Sequence, residues 1–195
     1  TIMSANEQAL SNGMTTERCF ELIQRLKKRI NTPILIMTYF NIAFRYGMEK
    51  FCVRAKKCGV YGLIIPDIPI DEENQEHYLA LCKKYKLHAI QIISPITPAK
   101  RLQQIARVAS GFVYCVSTFG TTGERKNIKT DIGSYIRKVK KHIALPLALG
   151  FGISNRKQVE TALRYADIAV IGSTIINIIN SSKGDKVLAV KKFLL

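Results

Sequence analysis

The sequence predicts an α/β protein built on a parallel sheet, and three observations support this. Short apolar runs rich in β-branched residues recur along the chain, and each is too continuous for a half-exposed strand. Longer amphipathic segments with helical spacing separate these runs. No Ser-, Gly- or Pro-rich linker interrupts the alternation. Alternating strands and helices require parallel pairing with crossover helices, in a barrel or in an open doubly wound sheet.

The predicted elements follow one another in a regular order. The helical segment TTERCFELIQRLKKRI comes first, with Thr15 or Thr16 as its expected N-cap and Glu17 in its first turn. Amphipathic segments such as GMEKFCVRAKKCG and SNRKQVETALRYA separate the strands, and Ser154 is the expected N-cap of the latter. The six predicted strands are PILIMTYF (33–40), GLIIPDI (62–68), HAIQIISP (88–95), GFVYCVS (111–117), PLALGFG (146–152) and IAVIGS (168–173).

The number of strands bears on the kind of sheet. The chain begins with threonine and with a helix that leads into a strand, as if in mid-pattern. A (β/α)8 barrel typically needs about 250 residues. If the sheet is a barrel, we therefore expect residues 1–195 to form a single TIM-barrel domain with six of its eight β/α units, the first two being absent.

Composition excludes several classes of protein. At 47% hydrophobic residues, the chain can bury a core. Five cysteines without CxxC spacing, in a sequence without a visible secretory signal, predict a reduced cytoplasmic protein. The three histidines lie far apart in sequence, so no metal site is expected. No apolar run approaches the roughly 18 residues of a membrane span, so no membrane association is expected.

The chain is strongly basic, with 30 Lys and Arg residues against 14 acids and a net charge of +16. The cations alternate with apolar residues in segments such as LIQRLKKRI and YIRKVKKHI, a pattern typical of the solvated face of an amphipathic helix. No arginine-rich arm, zinc-finger spacing or aromatic RNA-binding motif occurs. We therefore predict no nucleic-acid partner, and a basic nucleic-acid-binding module is the least favoured alternative.

Two successive strand ends predict a phosphate site. Gly150 and Gly152 close the fifth run, and Gly172 and Ser173 close the sixth, directly before the helical TIINIIN. Backbone N–H groups and a helix amino terminus suit a phosphate dianion. Counted from the carboxyl end of an eight-stranded barrel, these are strands seven and eight, the usual phosphate position. The alternative is that the glycines only serve tight turns. The loop VSTFGTTGERK is long enough for a lid, and its Gly123 would supply another N–H group.

Several motifs together resemble one known family. PILIMTYFN, GVYGLIIPDIP, GFVYCVSTFGTTG, LALGFGIS and IGSTII occur in the order, and at about the spacing, of the tryptophan synthase alpha subunit. The resemblance implies a (β/α)8 barrel and a carbon–carbon lyase of tryptophan biosynthesis. The implied reaction is retro-aldol cleavage of indole-3-glycerol phosphate to indole and glyceraldehyde 3-phosphate. It further implies no cofactor in this subunit, and a beta subunit, in an α2β2 complex, that holds pyridoxal phosphate.

The resemblance also assigns roles to individual residues. For the apolar positions, plain barrel core is the alternative, because a core residue would look the same in sequence. The matched positions are Gly123, Gly152, Gly172 and Ser173 for the phosphate, Met37, Ile93, Val116, Thr122 and Phe151 for the substrate pocket and its lid, Tyr114 beside the reacting atoms, and Asn41 and Pro69 at the beta-subunit surface.

Catalytic carboxylates are absent from the matched positions. The implied chemistry needs one group to remove a proton and another to deliver one. The family uses a glutamate and an aspartate from a segment that would precede Thr1. Asp67 matches neither, and we predict a structural or interface role for it. The chain also departs from the family at Tyr61, where an aspartate is usual, and at Ile42, where a proline is frequent. We therefore expect no catalytic residue and no activity in this chain alone; the alternative is a non-catalytic partner that regulates the beta subunit.

Overall fold

The strands form one parallel sheet in which every strand lies beside the next one in sequence. The computed structural model describes residues 1–116, 131–150 and 152–195. Its six strands follow the order β1-β2-β3-β4-β5-β6, and all neighbours are parallel. A doubly wound sheet would reverse its order at a switch point, so the barrel alternative is confirmed. The strands are β1 Leu35–Met37, β2 Gly62–Ile64, β3 His88–Ile93, β4 Val113–Val116, β5 Leu147–Gly150 and β6 Ile168–Val170.

Helices connect the strands. A right-handed crossover that always advances by one strand places the connecting helices on one face of the sheet. A 3-10 turn, Ile70–Glu72, precedes α5. The described helices are α1 Ile2–Ser11, α2 Thr16–Lys27, α3 Phe40–Tyr46, α4 Met48–Lys57, α5 Glu73–Glu76, α6 Tyr78–Lys84, α7 Ala99–Val108, α8 Ile132–Lys140, α9 Arg156–Leu163, α10 Ser173–Ser181 and α11 Lys186–Leu194.

The helix ends follow their capping residues. Thr15 caps α2 as predicted, because its side chain accepts a hydrogen bond from the backbone N–H of Arg18 at 3.2 Å. Helix α9 differs from the prediction: Asn155, not Ser154, is its N-cap. The N–H and hydroxyl of Ser154 donate to the Gln158 side chain instead. Helix α1 is additional to the predicted elements.

The core lies between the sheet and its helices. Alternate residues of a strand point to opposite faces. On β4, Val113 and Cys115 are buried in the cluster formed with α7, α8 and α9, whereas Tyr114 and Val116 are half-buried on the other face. A second cluster packs β1, β2 and the start of β3 against α2, α4 and α6. We call the side of the sheet that packs against the helices the helix-facing side, and the opposite side the inner face.

Two further findings bear on the environment of the protein. No described helix combines the length and apolar character that crossing a membrane requires. The five cysteines are free thiols, and four of them, Cys52, Cys58, Cys82 and Cys115, are buried.

Candidate functional site

The two glycine-bearing loops meet at the carboxyl end of the sheet. Strands β5 and β6 pair in register, with Gly150 opposite Val170. The hydroxyl of Thr174, in the first turn of α10, donates to the carbonyl oxygen of Ile153 at 2.8 Å. This bond ties the helix that follows β6 to the loop that follows β5. Gly152, Gly172 and Ser173 therefore belong to one corner of the molecule, as the sequence predicts.

In the part of the chain that the structure describes, no side chain caps the N-terminus of α10 at this corner. Gly172 is its N-cap and offers no side chain for capping, and the first turn contains no acidic residue. Among the described residues, no atom lies within 4 Å of a Cβ atom added to Gly172. A nine-residue helix carries a partial positive charge at this end, where its first N–H groups lack intrahelical partners. The arrangement suits an anion such as a phosphate group.

Different physical reasons explain why positions 150 and 152, the other two of this region, are occupied by glycine. Gly152 has φ 78°, a left-handed conformation that favours glycine, so the turn itself requires it. Gly150 lies on the inner face, where the Tyr114 hydroxyl and Val170 occupy the space that a Cβ would need. The close approach of a side chain, and not a turn, therefore explains Gly150.

Two of the predicted pocket residues, Met37 and Val116, share the inner face with Tyr114. The register places Val116 opposite Gly150 and Tyr114 opposite Ala148. Met37 ends β1 and is 59% exposed. Burial raises the pKa of the Tyr114 phenol, so that its hydroxyl keeps its proton and can donate a hydrogen bond at neutral pH.

Ile93 does not lie on this face. Its register partner on β4 is Cys115, and it is 2% exposed in the core cluster between sheet and helices. Ile92, the register partner of Tyr114, takes the inner position. A cavity of about 300 Å³ lies between the loop after β2, the end of β3 and α7; Ile92 borders it, but Tyr114 and Val116 do not, so it is distinct from the inner face. The structure thus places Ile93 in the core and Ile92 on the inner face, and the pocket role assigned to Ile93 stays a prediction.

The carboxylates at the carboxyl end of the described sheet have structural partners. Asp67 accepts a hydrogen bond from the N–H of Phe40 at 2.8 Å and so caps α3. This agrees with its predicted structural role. Asp71 forms an ion pair with Arg101 at 2.9 Å. The Glu73 carboxylate accepts hydrogen bonds from two N–H groups in the first turn of α6. Within the described ranges, no group of histidine, cysteine and acidic residues could hold a metal ion.

The predicted partner-surface residues are exposed at the same end. Asn41 lies on α3, and Pro69 lies in the loop after β2. The cap from Asp67 holds these two segments together. The segment that contains α3 carries three exposed apolar side chains. These are Tyr39, Ile42 and Phe44, which are 61%, 40% and 58% exposed. Exposed apolar side chains grouped in this way are typical of a protein interface.

Some predicted residues cannot be located, and one residue is new. Thr122, Gly123 and Phe151 lie outside the described residues, and their roles stay predictions. Thr174 joins the site although the motif analysis did not select it. Its place in IGSTII, one residue after the predicted Ser173, was the available signal.

Comparison with known proteins identifies relatives over the whole chain. The family model for the tryptophan synthase alpha chain matches residues 1–195. The tryptophan synthase alpha chain of Petrotoga mobilis is 36% identical over 185 residues, which are 95% of this chain and 71% of that protein.

Solved structures agree with this comparison. The chain is similar to a mutant tryptophan synthase alpha-subunit from Pyrococcus furiosus, with a TM-score of 0.88 and 30% identity over 99% of this chain and 77% of that one. It is also similar to a chain in a structure of the tryptophan synthase α2β2 complex from the same organism. There the TM-score is 0.89 and the identity 30%, over 99% of this chain and 77% of that chain.

Proposed function

Since the family model matches residues 1–195, the chain belongs to the tryptophan synthase alpha chain family, and we propose that it binds indole-3-glycerol phosphate. The family is a family of lyases, and the reaction we assign is retro-aldol cleavage to indole and glyceraldehyde 3-phosphate. One observation carries the proposal. The hydrogen bond from Thr174 to Ile153 joins the two glycine-bearing loops at the N-terminus of α10.

The phosphate group would lie against the backbone of this corner. Gly172 leaves the approach to the first turn of α10 free of a side chain, and Ser173 adds a hydroxyl donor. Gly152, in its left-handed turn, brings backbone N–H groups close to the ligand. Gly123 would contribute from the loop after β4. A dianion gains both hydrogen bonds and the favourable end of the helix dipole.

The indole ring would lie on the inner face, where Met37, Ile92 and Val116 supply apolar contacts. Tyr114 stands between this region and the phosphate corner, since its hydroxyl lies against Gly150. A protonated phenol there can donate to an oxygen of the glycerol chain. Phe151 and Thr122 would close the pocket above the ring.

We further propose that the 195-residue polypeptide does not cleave the substrate by itself. Proton transfer in the retro-aldol step needs a placed acid and a placed base. The carboxylates Asp67, Asp71 and Glu73 at the described end of the sheet are each engaged in capping or pairing. Indole release above background by this polypeptide would contradict this part of the proposal.

The partner we propose is a tryptophan synthase beta subunit. The relative from Pyrococcus furiosus is found in an α2β2 complex. Asn41 and Pro69, with the exposed Tyr39, Ile42 and Phe44, would form the contact surface. Pyridoxal phosphate would be held by the beta subunit, and the alpha reaction would use protein groups alone. The same exposed surface favours the second candidate, a non-catalytic regulator of the beta subunit. The buried free thiols fit a reducing compartment such as the cytoplasm.

The phosphate site is tested by a pair of glycine substitutions. Gly172→Val places a branched side chain at the N-terminus of α10. Gly184→Val, the control, adds the same side chain in the loop before α11, where a Cβ also meets nothing within 4 Å. Calorimetric titration with indole-3-glycerol phosphate should show at least about tenfold weaker binding for Gly172→Val, which corresponds to 1.4 kcal/mol, and unchanged binding for Gly184→Val. Equal affinities of the two variants would remove the phosphate site from this corner.

A further inference from the structure

Lysine and arginine residues gather at the amino-terminal end of the sheet, opposite the substrate site. Each connecting helix runs antiparallel to the strands, so helix C-termini lie at this end. The last turns of α2 and α6 each contain two cations, and those of α4 and α8 each contain three. The following loops add Lys28, Arg29, Lys86 and Lys141.

Four of the last-turn cations point back toward the carboxyl end. Arg54, Lys84 and Arg137 pair with carboxylates at the starts of α2, α4 and α8. Lys138 donates to the carbonyl oxygen of Thr97. The remaining cations, which are scattered along the sequence, form one face in the fold.

The two ends of the sheet differ in charge. The described loops at the carboxyl end contain Asp67, Asp71 and Glu73. The loops at the amino-terminal end, all of them described, contain two carboxylates, and both are engaged. Asp167 accepts a hydrogen bond from the N–H of Leu147, and Asp185 caps α11. Among the described residues, Lys28, Arg29 and Lys83 form no ion pair. Their charges are therefore free to bind an anionic partner.

Contacts between the loops make this surface continuous. The Lys27 side chain packs beside Gly59, in the loop after α4. The ammonium of Lys56 donates to the carbonyl oxygen of Lys86 at 3.2 Å, which links the ends of α4 and α6. The N–H of Tyr61 donates to the carbonyl oxygen of Ile34 at 2.7 Å. The ends of α2, α4 and α6 are therefore neighbours.

An aromatic pair lies within this cationic face. Tyr61 packs against His88 with ring centroids 4.3 Å apart and an interplanar angle of 36°. Tyr61 is 41% exposed. Single-stranded nucleic acids are bound by aromatic rings that stack on bases, surrounded by cations that contact the phosphates. Duplex DNA, an acidic peptide or an anionic membrane would use the cations but not the ring.

We propose that the amino-terminal end of the sheet binds single-stranded nucleic acid, with a base stacked on Tyr61 and the flanking phosphates held by the cations. Lysine predominates among these cations, and its point charge gives little base specificity. The binding is thus expected to be general in sequence. This departs from the sequence-based prediction of no nucleic-acid partner, which rested on the scatter of the cations along the chain and on the absence of known recognition motifs.

The first experiment measures the salt dependence of binding. A labelled single strand of about 12 nucleotides, as RNA and as DNA, is titrated with the full chain between about 50 and 200 mM salt. The triple variant Lys28→Gln, Arg29→Gln, Lys83→Gln removes three cations from the face. The control triple variant Lys50→Gln, Lys100→Gln, Lys157→Gln removes three exposed cations from the first turns of α4, α7 and α9, at the opposite end of the sheet. The first variant should lower the log–log salt slope by about 2 and weaken binding about 50-fold at 150 mM salt, because each phosphate contact contributes about 0.7 to the slope.

The control variant should retain the parent affinity within about twofold. Equal weakening of the two triple variants, or no binding by the parent chain, would overturn the proposal. Thermal melting monitored by circular dichroism verifies that both variants are folded.

The second experiment tests the aromatic ring. Tyr61→Ala should weaken binding about tenfold without changing the salt slope, and Tyr61→Phe should bind as the parent chain does. Duplex DNA, a polyglutamate peptide of matched charge and phosphatidylserine vesicles serve as competitors. If any of these displaces the strand as well as unlabelled strand does, the face binds polyanions by charge alone and the proposal fails.

Discussion

The two faces of the same six strands have divided roles. On the helix-facing side, Leu63, Val113 and Leu149 are fully buried among helix side chains. On the inner face, Tyr114 and Val116 are half-buried and Met37 is largely exposed. Because side chains alternate with a period of two, neighbouring residues of one strand face the helix-packed core and the proposed ligand pocket in turn. A shift of one position therefore changes the expected effect of a substitution.

The largest expected effect compares the two faces directly. Leu149→Ala removes a fully buried side chain of the helix-facing cluster and should lower the free energy of unfolding by about 3 kcal/mol. Met37→Ala, at 59% exposure on the inner face, should cost less than about 1 kcal/mol. Urea denaturation of both variants measures the difference. Similar losses would mean that the inner face also carries the stability of the fold, and the division would be wrong.

A smaller effect is expected where the inner face is crowded. Gly150→Ala places a methyl group against the Tyr114 hydroxyl and Val170 and should destabilise by about 2 kcal/mol. In a Tyr114→Phe background the hydroxyl is gone, so the same substitution should cost about 1 kcal/mol less. A double-mutant cycle in urea measures this coupling. Additive effects would show that Tyr114 does not require a glycine at position 150.

Much of this fold follows from the sequence, but the face on which a residue lies does not. The continuous run HAIQIISP predicts a strand, and β3 is observed over His88–Ile93. A run that is apolar throughout has no alternation to show which residues face the helices. Ile92 and Ile93 are therefore equivalent in sequence, and only the register with β4 separates them. Matching the chain to a family has the same ambiguity, because two identical adjacent residues do not show which of them lies on which face.

The sequence also does not show which distant segments come together in the folded chain. The cations of α2, α4, α6 and α8 occur in separate segments, and each segment alone has the pattern of a solvated helix. Only the parallel topology brings the helix ends to one end of the sheet. The meeting of the two glycine-bearing loops was predictable for the opposite reason. Their glycines lie directly after two successive strands, and the ends of successive parallel strands are neighbours whenever the strand order follows the sequence.

The smallest expected effect concerns pH and the helix-facing side. The Glu17 carboxylate accepts a hydrogen bond from the Tyr46 hydroxyl at 2.7 Å and is paired with Arg54, so it links α2, α3 and α4. The Tyr46 bond first, and then Arg54, lower the pKa of Glu17 below its ordinary value of 4.5. A lowered folded-state pKa stabilises the fold above pH 4.5, and this contribution is lost as the pH falls through the folded-state pKa.

Glu17→Gln should therefore reduce the stability lost on acidification from about pH 6 to about pH 3, as measured by urea midpoints at both values. Glu160→Gln removes a carboxylate from an exposed pair with Arg156 and should leave that loss as it is in the parent chain. Tyr114→Phe should also leave the stability lost on acidification unchanged, because the inner face contributes no acid-sensitive link at Tyr114. If Tyr114→Phe changed the acid response as much as Glu17→Gln, the pH dependence of stability would not belong to the helix-facing side.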